Sequence, residues 1–371
     1  MKTNLINIIS DSLKHSELNE IKKDFSVLLK EIEKSNRNIL INNVSVTKDF
    51  LCGEINQILE THTIERTKYY IKRLLKSLTE EKQSKINDLN LNRWKEYDDL
   101  ITDSLWILDK RDNTGVHHAG YWGNFIPQIP NQLLRRYTKK DEWVLDPFLG
   151  SGTTLIEAQR LGRNAVGIEL SKKVLNQTRK IISEERNHHS IELKFLNGDS
   201  SEINLKKYLK ESGIKSFQFQ IFHPPYWDII KFSNNKSDLS NSKSIEEFLT
   251  KFGGVLDNCL PHLDKKRFAA VVIGDKYSDG EWVPLGFYVM LEFLKRGMIL
   301  KSVIVKNFDE TTAKRNQKEL WRYRALAGGF YVFKHEYIFC VSEEMNRCNQ
   351  KGRRKLQLAG YGYKIIKYLI Y

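Results

Sequence analysis

The stretch Val144–Thr154, VLDPFLGSGTT, constrains the fold more than any other part of the sequence. A short apolar run ends in an acidic residue, and a turn containing glycine then leads directly into an amphipathic helical pattern. This order is typical of open α/β sheets, which bind ligands at the carboxyl ends of strands, where helix amino termini present free N–H groups. We therefore expect a ligand site at this turn, with Gly150 and Gly152 allowing the backbone to approach the ligand closely.

The sequence after residue 115 alternates between strand and helix patterns. Helices are predicted at 153–161 and 172–185, and strands at 143–146, 165–169, 217–222, 268–273, 300–305 and 336–341. Such alternation predicts a doubly wound, mostly parallel α/β sheet with helices on both faces. Residues 1–110 contain one glycine and no proline, and their apolar residues recur every three or four positions. This spacing predicts a helical N-terminal region.

We expect three regions, a helical accessory region at 1–110, a catalytic domain at 111–345 and a basic, tyrosine-rich segment at 346–371. The net charge of +14 is distributed unevenly, because residues 1–110 hold 18 basic and 18 acidic residues, whereas residues 345–371 hold seven basic and no acidic residues. An excess of this size fits a polyanionic partner. A lysine-rich proteome would give the same composition, so charge alone leaves both interpretations open.

The chain shows no pattern for export or for a membrane. No apolar run approaches the ~18 residues of a membrane span, and the first 20 residues have no signal-peptide pattern. Four scattered cysteines form no CxxC pair, so we expect free thiols and neither a zinc site nor disulfides. These features predict a cytoplasmic protein without a metal, and they leave its oligomeric state open.

Two acidic residues accompany the glycine turn. Glu169 ends the next predicted strand, 19 residues after Gly150, and Asp199 ends a third strand. At this offset a carboxylate accepts hydrogen bonds from a ribose in nucleotide-binding folds, and Asp199 could reach an adenine amino group. The turn reads GSGTT, and the sequence contains neither GxGxxG nor GxxxxGK[ST] at this place. An adenosine-containing cofactor is therefore expected, while a dehydrogenase or an ATPase is not.

Three segments of residues 115–342 resemble the amino-directed DNA methyltransferase family. Residues 146–154 resemble its DPFxGSGTT cofactor motif, and His223-Pro224-Pro225-Tyr226-Trp227 is similar to its catalytic [DNS]PP[YFW] motif. Gly123–Arg135, GNFIPQIPNQLLR, resembles the segment that closes over the methionine end of the cofactor. Residues 1–110 fall outside this resemblance.

The resemblance implies an S-adenosyl-L-methionine-dependent enzyme that methylates an exocyclic amino group of a flipped base in double-stranded DNA. The implied catalytic residues are His223, Pro224, Pro225 and Tyr226. The implied cofactor-binding residues are Asn124, Phe125, Pro127, Asp146, Pro147, Phe148, Gly150, Ser151, Gly152, Thr153, Thr154, Glu169 and Asp199. A restriction-modification or phage-defence context, with a cognate restriction endonuclease as partner, is also implied.

The chemistry explains the two prolines. The lone pair of an exocyclic amine is delocalised into the base, so acceptors must draw its hydrogens away before it can attack a methyl group. Prolines fix the loop, and their carbonyls remain free to accept. Tyr226 can stack on the extruded base.

His223 departs from the family pattern, which usually has Asp, Asn or Ser there. A neutral imidazole accepts one hydrogen bond, so activity is expected to fall below about pH 6 if His223 is the acceptor. A purely structural His223 is the alternative, as is Asp228 as a substitute acceptor. Within the family, a residue other than Asp before PPY, with Trp after it, favours cytosine N4 over adenine N6.

Target recognition is not assigned to one segment by the sequence. The candidates are the helical N-terminal region, the 230–250 loop and the basic, aromatic 306–329 segment. The polar 233–244 segment inside that loop is expected to be a mobile surface loop. The tail at 351–371 is either a DNA contact or a packed terminal element. We expect His117 and His118 to be structural. An RNA or protein methyltransferase, or a non-catalytic DNA-binding protein on the same scaffold, remains an alternative.

Overall fold

A computed structural model of the chain describes residues 4–35, 38–41, 44–117, 123–308 and 318–343. The C-terminal segment at 346–371 and His118 lie outside the described residues. Within them, the N-terminal region consists of helices and a small hairpin, α1 (Asn4–Ser12), α2 (Leu18–Glu33), β1 (Ile39–Ile41), β2 (Val44–Val46), α3 (Lys48–Leu59) and α4 (Ile64–Thr79). The predicted helical region is confirmed, and the hairpin is an addition whose three-residue strands are too short for periodicity to detect.

The N-terminal helices bury one apolar face each. In α2 the buried positions are Ile21, Phe25, Leu28 and Ile32, which lie three or four residues apart and so share one face. Together with apolar residues of α3 and α4 they form a core of their own. The stretch after α4 contacts the rest of the chain through polar and apolar groups, since Arg163 Nη2 lies 3.0 Å from Asp88 Oδ1 and Ile86 packs against the sheet core.

The central sheet and its helices follow in alternation. In chain order they are β3 (Leu105–Trp106), α5 (Gln128–Tyr137), β4 (Trp143–Asp146), α6 (Thr153–Leu161), β5 (Asn164–Glu169), α7 (Lys172–Ser183), β6 (Leu193–Asn197), α8 (Leu205–Ser212), β7 (Phe217–Phe222), α9 (Ile245–Cys259), β8 (Leu263–Ile273), β9 (Lys276–Ser278), β10 (Glu281–Val283), α10 (Leu285–Lys295), β11 (Met298–Asn307), α11 (Lys318–Gly328) and β12 (His335–Glu343). Strands β9 and β10 form a separate hairpin.

The sheet has eight described strands in the order β3-β11-β12-β8-β7-β4-β5-β6. Every described pairing is parallel except those of β12, which runs antiparallel to both β8 and β11. The predicted doubly wound, mostly parallel sheet is therefore confirmed. Because β12 is reversed, its amino end meets the carboxyl ends of β8 and β11 at the same edge of the sheet.

Apolar layers cover both faces of the sheet. Strand β7 contributes to both, because Phe219 and Ile221 lie in one layer and Phe222 lies in the other. The ring of Phe222 packs edge-on against Phe252 of α9 and Phe293 of α10. This packing fixes the end of β7, and the HPPY sequence begins at the next residue.

The 233–244 segment is less exposed than its polar composition predicts. A short 3₁₀ helix at Leu239–Asn241 lies within it, and Asp238, Ser240 and Ser242 are buried. The Asp238 carboxylate accepts hydrogen bonds from the hydroxyls of Ser233 and Ser240, both at 2.7 Å. Polar composition misled the prediction because these side chains bond to one another and need no water.

Candidate functional site

A large cavity lies along the edge where β4, β5, β7 and β8 end. Its volume is about 1130 Å³, whereas a typical small-molecule site holds ~300–1,000 Å³. The glycine turn after β4 and the HPPY loop after β7 both line it. The topology therefore brings together two motifs that lie some 70 residues apart in the sequence.

The two glycines of the turn have different roles. Gly150 lines the cavity, its N–H donates to Glu169 Oε2 at 3.0 Å, and its carbonyl accepts from the Thr178 hydroxyl at 2.6 Å. Gly152 is not among the residues that line the cavity. Its φ is +80°, and a Cβ there would lie 2.6 Å from Thr178 Cγ2 and 2.7 Å from Ile182 Cδ1. Gly152 therefore permits close packing against α7, and its approach to a ligand stays a prediction.

Glu169 lies at the cavity wall at the end of β5. Its Oε2 accepts from Gly150 and its Oε1 accepts from the N–H of Ser171 at 2.8 Å. Burial raises the pKa of this carboxyl group. Each oxygen of a carboxylate offers about two acceptor positions, so both can accept a further hydrogen bond from a ligand in the cavity.

Asp146 ends β4 beneath the turn and is 2% exposed. Its Oδ1 accepts from the N–H of Phe148 at 2.9 Å, and burial raises its pKa to about 6. A buried carboxylate without a cation nearby is costly. A cationic ligand in the cavity would lower that cost.

Two further aspartates line the same part of the cavity, Asp199 and Asp238. Asp199 follows β6 by two residues, and its Oδ1 accepts from the N–H and the hydroxyl of Ser201 at 2.9 and 2.7 Å. Sequence reasoning missed Asp238. The DLS pattern around it is a turn signal without functional information, so no signal in the sequence identified it.

The other predicted cofactor residues mostly lie at the cavity. Asn124 and Phe125 line it, and Asn124 Nδ2 donates to the Ser151 hydroxyl at 3.2 Å. Pro127 is not among the lining residues, and it precedes the first turn of α5. The remaining predicted positions that line the cavity are Pro147, Phe148, Ser151, Thr153 and Thr154.

The HPPY loop presents His223, Pro224, Pro225 and Tyr226 to the cavity. His223 is half-buried, with its ring centroid 4.5 Å from that of Phe125 and 5.7 Å from that of Tyr226. Burial lowers the pKa of this imidazole to about 4. Our expectation of a titration near pH 6 is therefore wrong, since removal from water disfavours the imidazolium.

Tyr226 is held by residues that sequence reasoning did not identify. Its hydroxyl donates to Glu336 Oε2 at 2.7 Å, and Lys306 Nζ lies 3.1 Å from Glu336 Oε1. Burial and the adjacent Glu336 carboxylate raise the pKa of Tyr226 well above 10, so the phenol stays protonated. Lys306 and Glu336 also line the cavity.

Asp228 does not fit the role of a substitute acceptor. Its carboxylate is exposed and lies 2.6 Å from Lys276 Nζ, and it is not among the cavity-lining residues. The same lysine lies 4.3 Å from the ring centroid of Trp227, whose indole N–H donates to the Ser242 carbonyl at 2.9 Å. These contacts fix the chain directly after the HPPY motif.

Further aromatic side chains line the cavity or pack against residues that line it. Tyr277 and Phe330 stack with ring centroids 4.1 Å apart, and Trp282 packs edge-on against Phe333 at 4.6 Å. Trp321 of α11 and Tyr331, which is 88% exposed, also line the cavity. Part of the basic 306–329 segment therefore lies at the cavity, although residues 309–317 are outside the described structure.

The two histidines that we expected to be structural precede this site. His117 is buried, and its Nε2 lies 2.7 Å from Glu157 Oε1. Within the part of the chain that the structure describes, no group of three or more His, Cys, Asp or Glu could hold a metal ion. Nor does any helix there have the length and apolarity to cross a membrane.

The sheet order, the reversed strand β12 and the glycine turn with its acidic partners define a Rossmann-like methyltransferase fold. The chain belongs to the DNA methylase family of N6- and N4-directed enzymes, whose model matches residues 6–180 and 217–367. The match begins within α1. Our expectation that residues 1–110 fall outside the family resemblance was therefore wrong.

Individual relatives match shorter stretches of the chain. The type II methyltransferase M.MjaII of Methanocaldococcus jannaschii is 32% identical over 114 residues, which are 28% of this chain and 21% of that protein. The type II methyltransferase M2.DpnII of Streptococcus pneumoniae is 34% identical over 106 residues, 27% of this chain and 40% of that protein. The chain thus spans about a fifth to two fifths of these relatives. Among solved structures, TrmN from Thermus thermophilus aligns at a TM-score of 0.38 with 17% identity, over 60% of this chain and 50% of that one.

Proposed function

We propose that this protein is an S-adenosyl-L-methionine-dependent DNA methyltransferase that modifies the exocyclic amino group of a flipped base. The observation that carries the proposal is one cavity lined both by the glycine turn and Glu169, at the ends of β4 and β5, and by the HPPY loop after β7. A cofactor and a target amine must meet for methyl transfer, and this cavity has room for both. Family membership and the type II relatives support the same reaction and a DNA substrate.

The residues of the cavity fit the proposed cofactor. Both oxygens of Glu169 can accept from ribose hydroxyls, and Asp199 Oδ2 has no donor among the described residues, so it can accept from the adenine amino group. The Asp146 carboxylate supplies negative charge for a cationic molecule. When bound, the cofactor supplies a methyl group on a positively charged sulfur, and the neutral thioether is a good leaving group.

The HPPY loop would then prepare the amine. The carbonyls of this rigid loop accept its hydrogens, and a neutral His223 adds one acceptor nitrogen. With the cofactor bound, these acceptors would turn the lone pair of the amine toward the methyl carbon. A carbon–nitrogen bond would form as the carbon–sulfur bond of the cofactor breaks, and one amine proton would leave along its hydrogen bond to His223 and on to solvent. Positioning and electrostatics carry this rate, because no covalent enzyme intermediate is needed.

For the acceptor atom we propose cytosine N4, with adenine N6 as the alternative. The support is the sequence pattern, in which the residue before PPY is not Asp and Trp227 follows it. A restriction-modification context, with a restriction endonuclease as partner, and a cytoplasmic location are part of the same proposal. The three-region organisation at 1–110, 111–345 and 346–371 is likewise proposed.

For DNA contact we propose α11 and the residues after it. Trp321, Phe330, Tyr331 and Phe333 line the cavity, whereas no described residue of 4–110 does. The exposed residues of α11 include Arg322 and Tyr323, which are suited to a phosphate and to an unstacked base. The 230–239 segment also lines the cavity through Phe232 and Asp238, and it lies on the cofactor side beside Glu169.

The test is methyl transfer from labelled cofactor to DNA, RNA and protein in one assay, with wild type and His223→Leu compared. Labelled DNA with wild type and little label with the variant support the proposal. Label in RNA or protein alone would show the alternative enzyme classes, and cofactor binding without transfer to any acceptor would show a non-catalytic protein. Sequencing genomic DNA from an expressing host, with detection of modified bases, then gives the base, the position and the recognition site.

A further inference from the structure

Lys306 and Glu336 are directly opposite each other in the antiparallel ladder of β11 and β12. Their side chains meet at 3.1 Å, and the residues are 5% and 8% exposed. Opposite residues of neighbouring strands bring their Cβ atoms within ~5.5 Å, so the ladder register itself creates this ion pair. It lies at the sheet edge that carries the HPPY loop.

The Lys306–Glu336 ion pair is not expected to add much to the stability of the fold. Removing two charges from water costs about as much as their attraction returns, and well-packed apolar residues are often as stable in such places. The pair also lines the cavity, where it shares one wall with His223 and Tyr226. Its effect on those two residues gives a better reason for its presence.

Glu336 uses its two oxygens for two different partners. Oε1 faces Lys306, and Oε2 accepts the hydroxyl of Tyr226 at 2.7 Å. The other side of the Tyr226 ring packs against Gly274, where a Cβ would lie 2.8 Å from Tyr226 Cε2. The ring is thus fixed at its hydroxyl by Glu336 and along its edge by the backbone at the end of β8.

The position of the Tyr226 ring matters to the residue beside it. The rings of His223 and Tyr226 lie 5.7 Å apart and nearly perpendicular, at 88°. A ring free to rotate away would leave the target base without a stacking surface next to the acceptors of the HPPY loop. A displacement of about 1 Å in such a group can cost ~10²-fold in rate.

We propose that Glu336, held by Lys306, is a positioning residue that fixes Tyr226 as the stacking surface for the target base. This inference rests on the proposed function. It assigns to the pair a role in the chemical step and none in cofactor binding, since the cofactor-side residues lie at β4 and β5. Glu336 acts through its oxygen as a hydrogen-bond acceptor, and its charge is needed only to balance Lys306.

The test compares two double variants that differ in a single acceptor, Lys306→Met/Glu336→Gln and Lys306→Met/Glu336→Met. Both replace the ion pair by neutral side chains of similar size, a change that buried pairs commonly tolerate. Single-turnover methyl transfer is expected to be about tenfold faster in the Gln variant, because its amide oxygen still accepts from Tyr226. Cofactor affinity should be the same in both.

The same comparison is then repeated with Tyr226→Phe added to each double variant. Without the hydroxyl the two should transfer methyl at equal rates, since the acceptor no longer has a donor. Equal rates with Tyr226 present, or a difference that persists with Tyr226→Phe, would overturn the inference while the proposed function stands. If the wild type methylates no polynucleotide, the proposed function fails and this inference fails with it.

Discussion

The imidazole of His223 packs against the phenyl ring of Phe125, with ring centroids 4.5 Å apart and planes tilted by 54°. Phe125 precedes α5, whereas His223 follows β7, so the contact joins the segment beside Ser151 to the HPPY loop. The phenyl ring is one of the groups packed around the imidazole, and burial lowers the pKa of this histidine. The neutral form of His223 is favoured for this reason, and a neutral imidazole is the form that can accept a hydrogen bond.

We predict a flat pH–rate profile for the chemical step between pH 5.5 and 8. The pKa of His223 is lowered to about 4, so the imidazole is neutral across this range and becomes protonated only as the pH falls through about 4. Single-turnover rates measured over this range check the prediction. A loss of rate near pH 6 would mean that water reaches the ring.

His223→Asn should keep much of the activity, and His223→Leu should lose it. Asn and Leu are similar in size, but only Asn has an acceptor oxygen for the amine. Loss of one acceptor at the reacting atom is expected to cost about 10²-fold in rate. Equal single-turnover rates for the two variants would assign all acceptance to the backbone carbonyls.

We predict that Asp146→Asn stabilises the ligand-free protein at pH 8. Burial raises the pKa of Asp146 to about 6 in the folded protein, whereas the pKa is ~3.9 in the unfolded chain. The folded state therefore favours the protonated carboxyl group, and the stability that this group contributes at low pH is lost as the pH rises through these two pKa values. The stability gain of the variant should be larger at pH 8 than at pH 5 by about 1.5 kcal/mol. Urea unfolding at both pH values measures it, and a gain independent of pH would contradict the raised pKa.

We predict that Gly152→Ala destabilises the protein more than Gly213→Ala does. Both glycines have positive φ, +80° and +70°, but a Cβ at 213 meets nothing within 4 Å, whereas at 152 it meets Thr178 and Ile182. Gly213→Ala has only the backbone cost. The difference between the two losses of stability therefore measures overpacking at position 152, which is expected to be about 1–3 kcal/mol. Thermal or urea unfolding of both variants measures these losses of stability. Equal losses would mean that Gly152 is not needed for the packing against α7.

We predict that Glu169→Gln weakens cofactor affinity by about tenfold or more, because one charged acceptor becomes a donor. Glu211→Gln is the matched control, since that side chain is 64% exposed on α8 and its one ion pair among the described residues is with Lys207, across one helical turn. Isothermal titration with the cofactor measures both. An unchanged affinity for Glu169→Gln would remove Glu169 from the site.

We predict that Arg322→Ala weakens DNA binding and reduces the slope of affinity against salt by about 1, as expected for one lost phosphate contact. Lys14→Ala is the control, because Lys14 is 78% exposed in the N-terminal region, away from the cavity. Binding titrations at several salt concentrations measure the slope. A larger effect of Lys14→Ala would move the DNA contact to the N-terminal helices.

The sequence by itself determined the sheet class, the helical N-terminal region and the two motifs that face the cavity. Local pattern is enough for these because a buried strand, a glycine turn and a helix follow one another within a dozen residues, as in Val144–Thr154. The acidic residue at position 169 was also within reach, because it ends the next strand at the carboxyl edge. These features depend on residues that are close in the chain. Periodicity and turn residues in the sequence are therefore enough to predict them.

Only the tertiary structure decided what surrounds the HPPY loop. Reversal of β12 places Glu336 opposite Lys306 and within reach of Tyr226, 110 residues earlier in the chain. The polar segment around Asp238 folds into the cavity wall because its side chains bond to one another. The pKa of His223 depends on its burial and on the charges of Glu336 and Lys306. Each of these depends on which distant residues become neighbours, and strand order and burial set those neighbours.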